Sequence, residues 1–157
     1  MRLSAVKKSI VLLASLVLIL LAAGRARTTT TTTTTPPLPN PVLIFTGPEF
    51  YEAGGKEWTR YRYTVTNLTD YPNELFAAAP NLPPCGKNAN SSRTWVDIYE
   101  DSGKRLNGFC ALGDRDGLGQ LWFALERDAI PPSWVYIEMN DRQTNTKYKS
   151  NIAATSE

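Results

Sequence analysis

Arg93-Thr94-Trp95-Val96-Asp97-Ile98-Tyr99, then Glu100-Asp101-Ser102-Gly103, then Leu106 to Ala111: two strand-like runs around a four-residue turn decide the fold class of this chain. Side chains alternate along a strand, so Thr94, Val96 and Ile98 share an inward face while Trp95, Asp97 and Tyr99 point outward. Gly103 stands where a tight hairpin needs a positive φ, which glycine adopts without a steric penalty. The same alternation returns in Trp134 to Met139, with Val135, Ile137 and Met139 inward and Trp134, Tyr136 and Glu138 outward. It returns again in Trp58 to Asn67, where Tyr61, Tyr63 and Val65 turn inward and leave Arg60 and Arg62 outside.

Working outward from these runs, further strands are expected at Val42 to Thr46, Leu75 to Ala77, Leu121 to Leu125 and Thr146 to Ser150. In the continuous run Leu121 to Leu125, Trp122 and Phe123 read as core. Glycine and proline punctuate often, and no segment carries a sustained helical period. Asn67 to Pro72 and Asn140-Asp141 collect turn formers, and Pro131-Pro132 blocks helix and strand alike. Seven or eight short strands in residues 41–157 predict an all-β fold, a single antiparallel β-sandwich with one modest core.

The residues ahead of that domain carry an address. Arg2 and Lys7-Lys8 precede an apolar run from Ile10 to Ala23, and small residues with Arg25 and Arg27 follow it. That is the layout of a secretory signal peptide, here residues 1–26, with cleavage after Gly24 or Ala26. A run of 14 residues covers about 21 Å as a helix, short of a hydrocarbon core of roughly 30 Å. An uncleaved N-terminal membrane anchor is the alternative. Residues 27–40 hold eight consecutive threonines, Thr28 to Thr35, and three prolines, a low-complexity linker with no apolar face to bury. The expected location is secreted, periplasmic or cell-surface, that is extracytoplasmic, with no membrane insertion after cleavage.

Five of the seventeen lysines and arginines lie in the first 27 residues, which contain no acid. Twelve basic groups against fifteen acidic ones remain, so the formal charge of +2 becomes a mild net negative charge in the exported part. Nucleic acid is therefore not an expected partner. An extracellular protein or a glycan is.

The strand Tyr61-Arg62-Tyr63-Thr64-Val65-Thr66-Asn67, which closes on V-x-N before a turn, resembles the second strand of bacterial Ig-like surface domains of the CARDB and DUF11 type. The resemblance implies an immunoglobulin-like sandwich and a non-catalytic interaction or spacer module.

Cys85 and Cys110 are the two cysteines of the chain. In an oxidising compartment the pair predicts a disulfide, closing a loop of about 26 residues and worth roughly 3–4 kcal/mol on the chain-entropy model. The sequence has no histidine. Ser-His and Cys-His nucleophile activation, imidazole base catalysis and His-containing zinc sites are thereby excluded, and no cofactor is expected. A glycosidase using two carboxylates is the one catalytic class left open. Asp114-Arg115-Asp116-Gly117 opens like a calcium loop but lacks the later acids, and reads as a polar turn. Asn67-Leu68-Thr69 and Asn90-Ser91-Ser92 match the N-glycosylation pattern and are also read as turns. The binding hypothesis with residues attached is an outward aromatic face of Trp95, Tyr99, Trp134 and Tyr136, with Arg60 and Arg62 orienting a partner. Such a platform suits carbohydrate binding. The opposing reading places these rings in an ordinary core in reversed register.

Overall fold

In the computed structural model, which describes residues 37–87 and 90–156, alternation becomes burial strand by strand. The signal segment and the linker up to Pro36 lie outside the described residues. The strands are β1 (Leu43–Ala53), β2 (Lys56–Val65), β3 (Thr94–Glu100), β4 (Arg105–Phe109), β5 (Leu121–Glu126), β6 (Trp134–Asp141), β7 (Thr146–Lys149) and β8 (Ala153–Ala154). They form two antiparallel sheets. One is ordered β1-β2-β5, the other β4-β3-β6-β7 with β8 also paired to β6. Tyr61, Tyr63, Val65, Leu121 and Phe123 of the first sheet share a core with Val96, Ile98, Val135, Ile137 and Met139 of the second, as a sandwich requires. Burying one such side chain fully contributes about 1.5–3 kcal/mol. A register slip of one residue would forfeit a whole face, and the expected register of β2, β3 and β6 is the one observed.

Three departures have physical reasons. First, β1 does not stop at Thr46 but continues through Gly47-Pro48 to Ala53, and pairs with β2 along its length across a bulge between Phe45 and Gly47. Proline is tolerated there because β1 is an edge strand. The chain reverses at Gly54-Gly55, both at positive φ (61° and 73°), between the paired residues Ala53 and Lys56. Second, Leu75 to Ala77 is not a strand. Asn73–Leu75 is a 3-10 turn that drops Leu75 and Phe76 into the core, and only Ala78 bridges to Ser92. Third, Trp122 is half-buried on the outer face, whereas its neighbours Leu121 and Phe123 are fully buried. A continuous apolar run hides its alternation, and here it is still an alternating strand.

The sheets are joined at both seams. On the β1 side, the Asn151 side chain accepts from Leu43 N–H at 2.7 Å and donates to Leu43 C=O at 3.0 Å, filling the place of a missing strand partner. The Tyr63 hydroxyl also meets Thr155 Oγ1 at 3.3 Å. On the β5 side, Asn107 Nδ2 of β4 donates to Trp122 C=O at 2.7 Å. Cys85 and Cys110 form a disulfide with a Cα–Cα distance of 6.1 Å, tying the proline-rich loop to the end of β4. Among the described residues no helix is long and apolar enough to cross a membrane.

Candidate functional site

The chain enters the sandwich at the start of β1. Tyr71, fully buried, donates its hydroxyl to Pro39 C=O at 2.8 Å, and Asn67 Nδ2 donates to Asn40 C=O at 3.1 Å. Asn67 Oδ1 also accepts from Val42 N–H, so the side chain of the first glycosylation pattern clamps the entering segment. β1 then runs eleven residues away from this end, about 35 Å of extended chain. At the far end stand the β1–β2 hairpin, the end of β5 and the start of β6. Register places Trp58 opposite Glu126, and Asp101 N–H of the β3–β4 turn donates to Trp134 C=O. Ile130, 93% exposed, and Phe50, 64% exposed, belong to this end together with Trp134. Val42 and Ile44 at the entry and Ile152 near the β1 seam are the other exposed large apolar residues among those described.

Phe50 is uncovered for a topological reason. Pairing with Thr59 puts it on the core-facing side of β1, but there the second sheet has ended. Its ring is met instead by the Arg127 guanidinium at 5.4 Å, and Arg127 pairs with Glu57 at 2.9 Å. Two shallow concavities share Glu57 and Arg127. One of about 470 Å³ is otherwise lined by Lys56, Glu126, Asp128 and Ala129. The other, about 180 Å³, is lined by Phe50, Tyr51, Glu52 and Trp58 as well. The Trp58 indole folds back over the hairpin, its Nε1 donating to Ala53 C=O at 3.3 Å.

The expected aromatic face is divided. Trp95, Tyr99, Trp134 and Tyr136 do point outward from the larger sheet, and Tyr99 and Tyr136 stack at 5.4 Å and 17°. Tyr136 lies between two neighbours: Tyr99 on the β3 side and Lys149 Nζ, 3.9 Å from its ring centre, on the β7 side. Arg142 covers the Trp95 ring at 4.1 Å, while Trp95 Nε1 donates to Ser91 Oγ at 3.0 Å. Trp134 stands apart at the start of β6, half exposed. Charges between the rings are paired, Arg105 with Asp97 at 2.7 Å and Lys147 with Glu138 at 2.7 Å. Gly108 permits the first of these, since a Cβ there would fall 1.8 Å from Arg105 Nη2.

Arg60 and Arg62 are not part of that face. They stand on the outer face of the other sheet, on the far side of the core. The Arg60 guanidinium lies between Tyr51, at 4.9 Å, and Trp122, at 4.6 Å, and donates to Glu49 at 3.2 Å. Arg62 is 4.0 Å from the same carboxylate. Arg60 and Arg62 stand out in the sequence as outward residues, but their partners Glu49 and Tyr51 and the hairpin do not, because Gly47-Pro48 looks like a strand end. Gly54-Gly55 between apolar-rich runs was the signal that could have located them.

The remaining polar groups serve the fold. Asp114 caps the 3-10 turn Arg115–Gly119, its carboxylate accepting from the N–H groups of Asp116 and Gly117. Arg93 donates two bonds to Asp141, at 2.8 and 2.6 Å, which holds that carboxyl at about 2, below the usual range. Burial pushes the Tyr63 and Tyr71 phenols up to about 12, away from nucleophilic ionisation. No group of three or more metal-ligating side chains occurs among the described residues.

Fold and surface together define an all-β, disulfide-bonded sandwich whose exposed apolar side chains include a set at the end opposite chain entry. No family model, curated protein or solved structure matches the chain.

Proposed function

We propose that this chain is an exported, non-catalytic binding or adhesion module of immunoglobulin-like type that engages an extracellular partner through the end of the sandwich opposite the entry of the chain at Pro39 to Pro41. The observation that carries this reading is the polarity of the domain. The segment after the Thr/Pro run is fastened at one end, by Tyr71 to Pro39 and Asn67 to Asn40, where Val42 and Ile44 are about half exposed, and the most exposed large apolar side chains, Ile130 and Phe50, are uncovered at the other. A Thr/Pro run with no burial to gain reads as a spacer, and the end that the entering segment does not occupy is the one left for a partner. The sheet orders β1-β2-β5 and β4-β3-β6-β7 support the immunoglobulin-like assignment, because first, second and fifth strands face third, sixth and seventh as in that family of sandwiches. Absence of histidine from the sequence removes imidazole-based catalysis and supports a role without it. A sugar platform on Trp95, Tyr99, Trp134 and Tyr136 has less to offer a ligand, because Tyr136 is flanked on both sides and Trp95 lies under Arg142.

The test is an array of extracellular proteins and glycans probed with the oxidised protein and with folded Phe50→Ser/Ile130→Ser and Tyr99→Ser variants. Binding abolished by the first variant and kept by the second is the expected result. Loss on Tyr99→Ser alone would transfer the function to the aromatic face of the larger sheet. Absence of binding on every array would sink the binding role and leave a structural one.

A further inference from the structure

At the hairpin, Glu52 and Glu57 stand directly opposite each other on neighbouring strands. Like charges in that register repel, so the arrangement works against the hairpin unless a cation compensates it. Arg127 pairs with Glu57, but Glu52 has no ion-pair partner among the described residues. The same two carboxylates line the 180 Å³ concavity together with Phe50, Tyr51 and Trp58. Phe50 shares the face of Glu52 and Glu57, while Tyr51 and Trp58 alternate to the outer face, where Tyr51 already meets Arg60. A ring beside two carboxylates suits a cation, because the ring face is negative and the carboxylates supply full charge. The chain already gives an example: a guanidinium, that of Arg127, sits 5.4 Å from the Phe50 ring and 2.9 Å from Glu57. Its side chain is 52% exposed, so it is free to leave.

We propose that this cradle binds a cationic side chain, an arginine or a lysine, of the partner protein, and that Arg127 is a placeholder occupying it in the free state. The proposal rests on the reading of this end as the binding end and adds the chemistry of the partner. Its size agrees, since 180 Å³ falls below the roughly 300–1,000 Å³ of pockets that take drug-sized ligands. An incoming guanidinium gains Glu52 as well as Glu57, whereas Arg127 compensates only one of the pair. Displaced, Arg127 remains beside Asp128 and Glu126 on the wall of the adjoining concavity.

The experiment follows the Trp58 indole N–H resonance by NMR, assigned with Trp58→Phe, while the protein is titrated with a short acetylated arginine-glycine peptide. The same peptide with citrulline, which keeps the shape and lacks the charge, is the control. A saturable shift with arginine and none with citrulline is expected. Affinity should fall roughly tenfold in Glu52→Gln and rise several-fold in Arg127→Gln, where the internal competitor is gone. Glu52 is exposed and unpaired, so its replacement leaves the fold intact. Equal shifts with citrulline, no shift at millimolar peptide, or indifference to Glu52→Gln would each overturn the proposal. Such a failure, with array binding still lost in Phe50→Ser/Ile130→Ser, would leave the binding end standing without its cationic partner. Array binding untouched by those substitutions would remove the binding end itself.

Discussion

At Asp141, 3% exposed at the end of β6, one carboxylate organises a turn. It takes two bonds from Arg93, one from Gln143 N–H at 3.1 Å and one from Thr144 Oγ1 at 2.8 Å, so every acceptor direction is in use. These bonds, led by the one from Arg93, lower its pKa from 3.8 to about 2. A carboxyl with a lowered folded pKa contributes stability that is fully present above the unfolded value and lost as pH falls through the folded one. Between about pH 5 and pH 2 the protein should therefore lose on the order of 2 kcal/mol from this group alone. Asp141→Asn should cost a similar amount at neutral pH and flatten the acid limb of the stability curve. Urea melts from pH 7 to pH 2.5 check both, and an unchanged acid limb in the variant would assign acid sensitivity elsewhere. None of this was legible in the sequence, where Arg93 and Asp141 are 48 positions apart and Asn140-Asp141 reads as a plain turn. Side-chain pairs across a sheet depend on register between strands distant in sequence, and local pattern does not carry that.

Elements were more readable, to the extent that alternation is a local property. The faces of β2, β3 and β6 followed from period two, and the β3–β4 hairpin from Gly103, which has φ 88°. What failed were the places where another force overrides the local signal. Gly47-Pro48 looks like an end, yet a bulge on an edge strand absorbs it. Leu75 and Phe76 look like strand residues, yet a 3-10 turn buries them equally well. The hairpin at Gly54-Gly55 is a two-residue connection with positive φ at both positions, the geometry that matches strand twist. Gly55→Val should destabilise by about 1–2 kcal/mol, since a β-branched residue is strained at φ 73°. Gly54→Asn should be tolerated or should stabilise by up to about 1 kcal/mol, because asparagine accepts positive φ and has fewer unfolded conformations than glycine. Denaturant midpoints of the two variants give the comparison. Equal losses would mean that space around the turn, and not backbone conformation, sets the preference, although a Cβ at either glycine meets nothing within 4 Å.

For the molecule as a whole, two sheets with open edges would be free to shear, and each seam has its own fastening. On the β1 side the Asn151 amide satisfies both backbone groups of Leu43, a residue 1% exposed whose N–H and C=O have little access to water. On the β5 side Asn107 reaches Trp122, and the disulfide anchors the end of β4 close by. Asn151→Ala strands a donor and an acceptor, so a loss of about 2–4 kcal/mol is expected. Cys85→Ser/Cys110→Ser should lose about 3 kcal/mol by releasing a 25-residue separation in the unfolded chain. β1 and β5 flank β2, which separates the two fastenings by about 10 Å of sheet with no shared partner. Changes at that range add within about 0.5 kcal/mol. Combining the three substitutions, where the protein still folds at low temperature, should thus give the sum of the separate losses in urea. A combined loss well below the sum would mean that release of one seam already frees the other, making the sandwich a single hinge. In that case the exposed end carrying Phe50 and Ile130 would move relative to the entry of the chain at β1, and its presentation would depend on the redox state of Cys85 and Cys110.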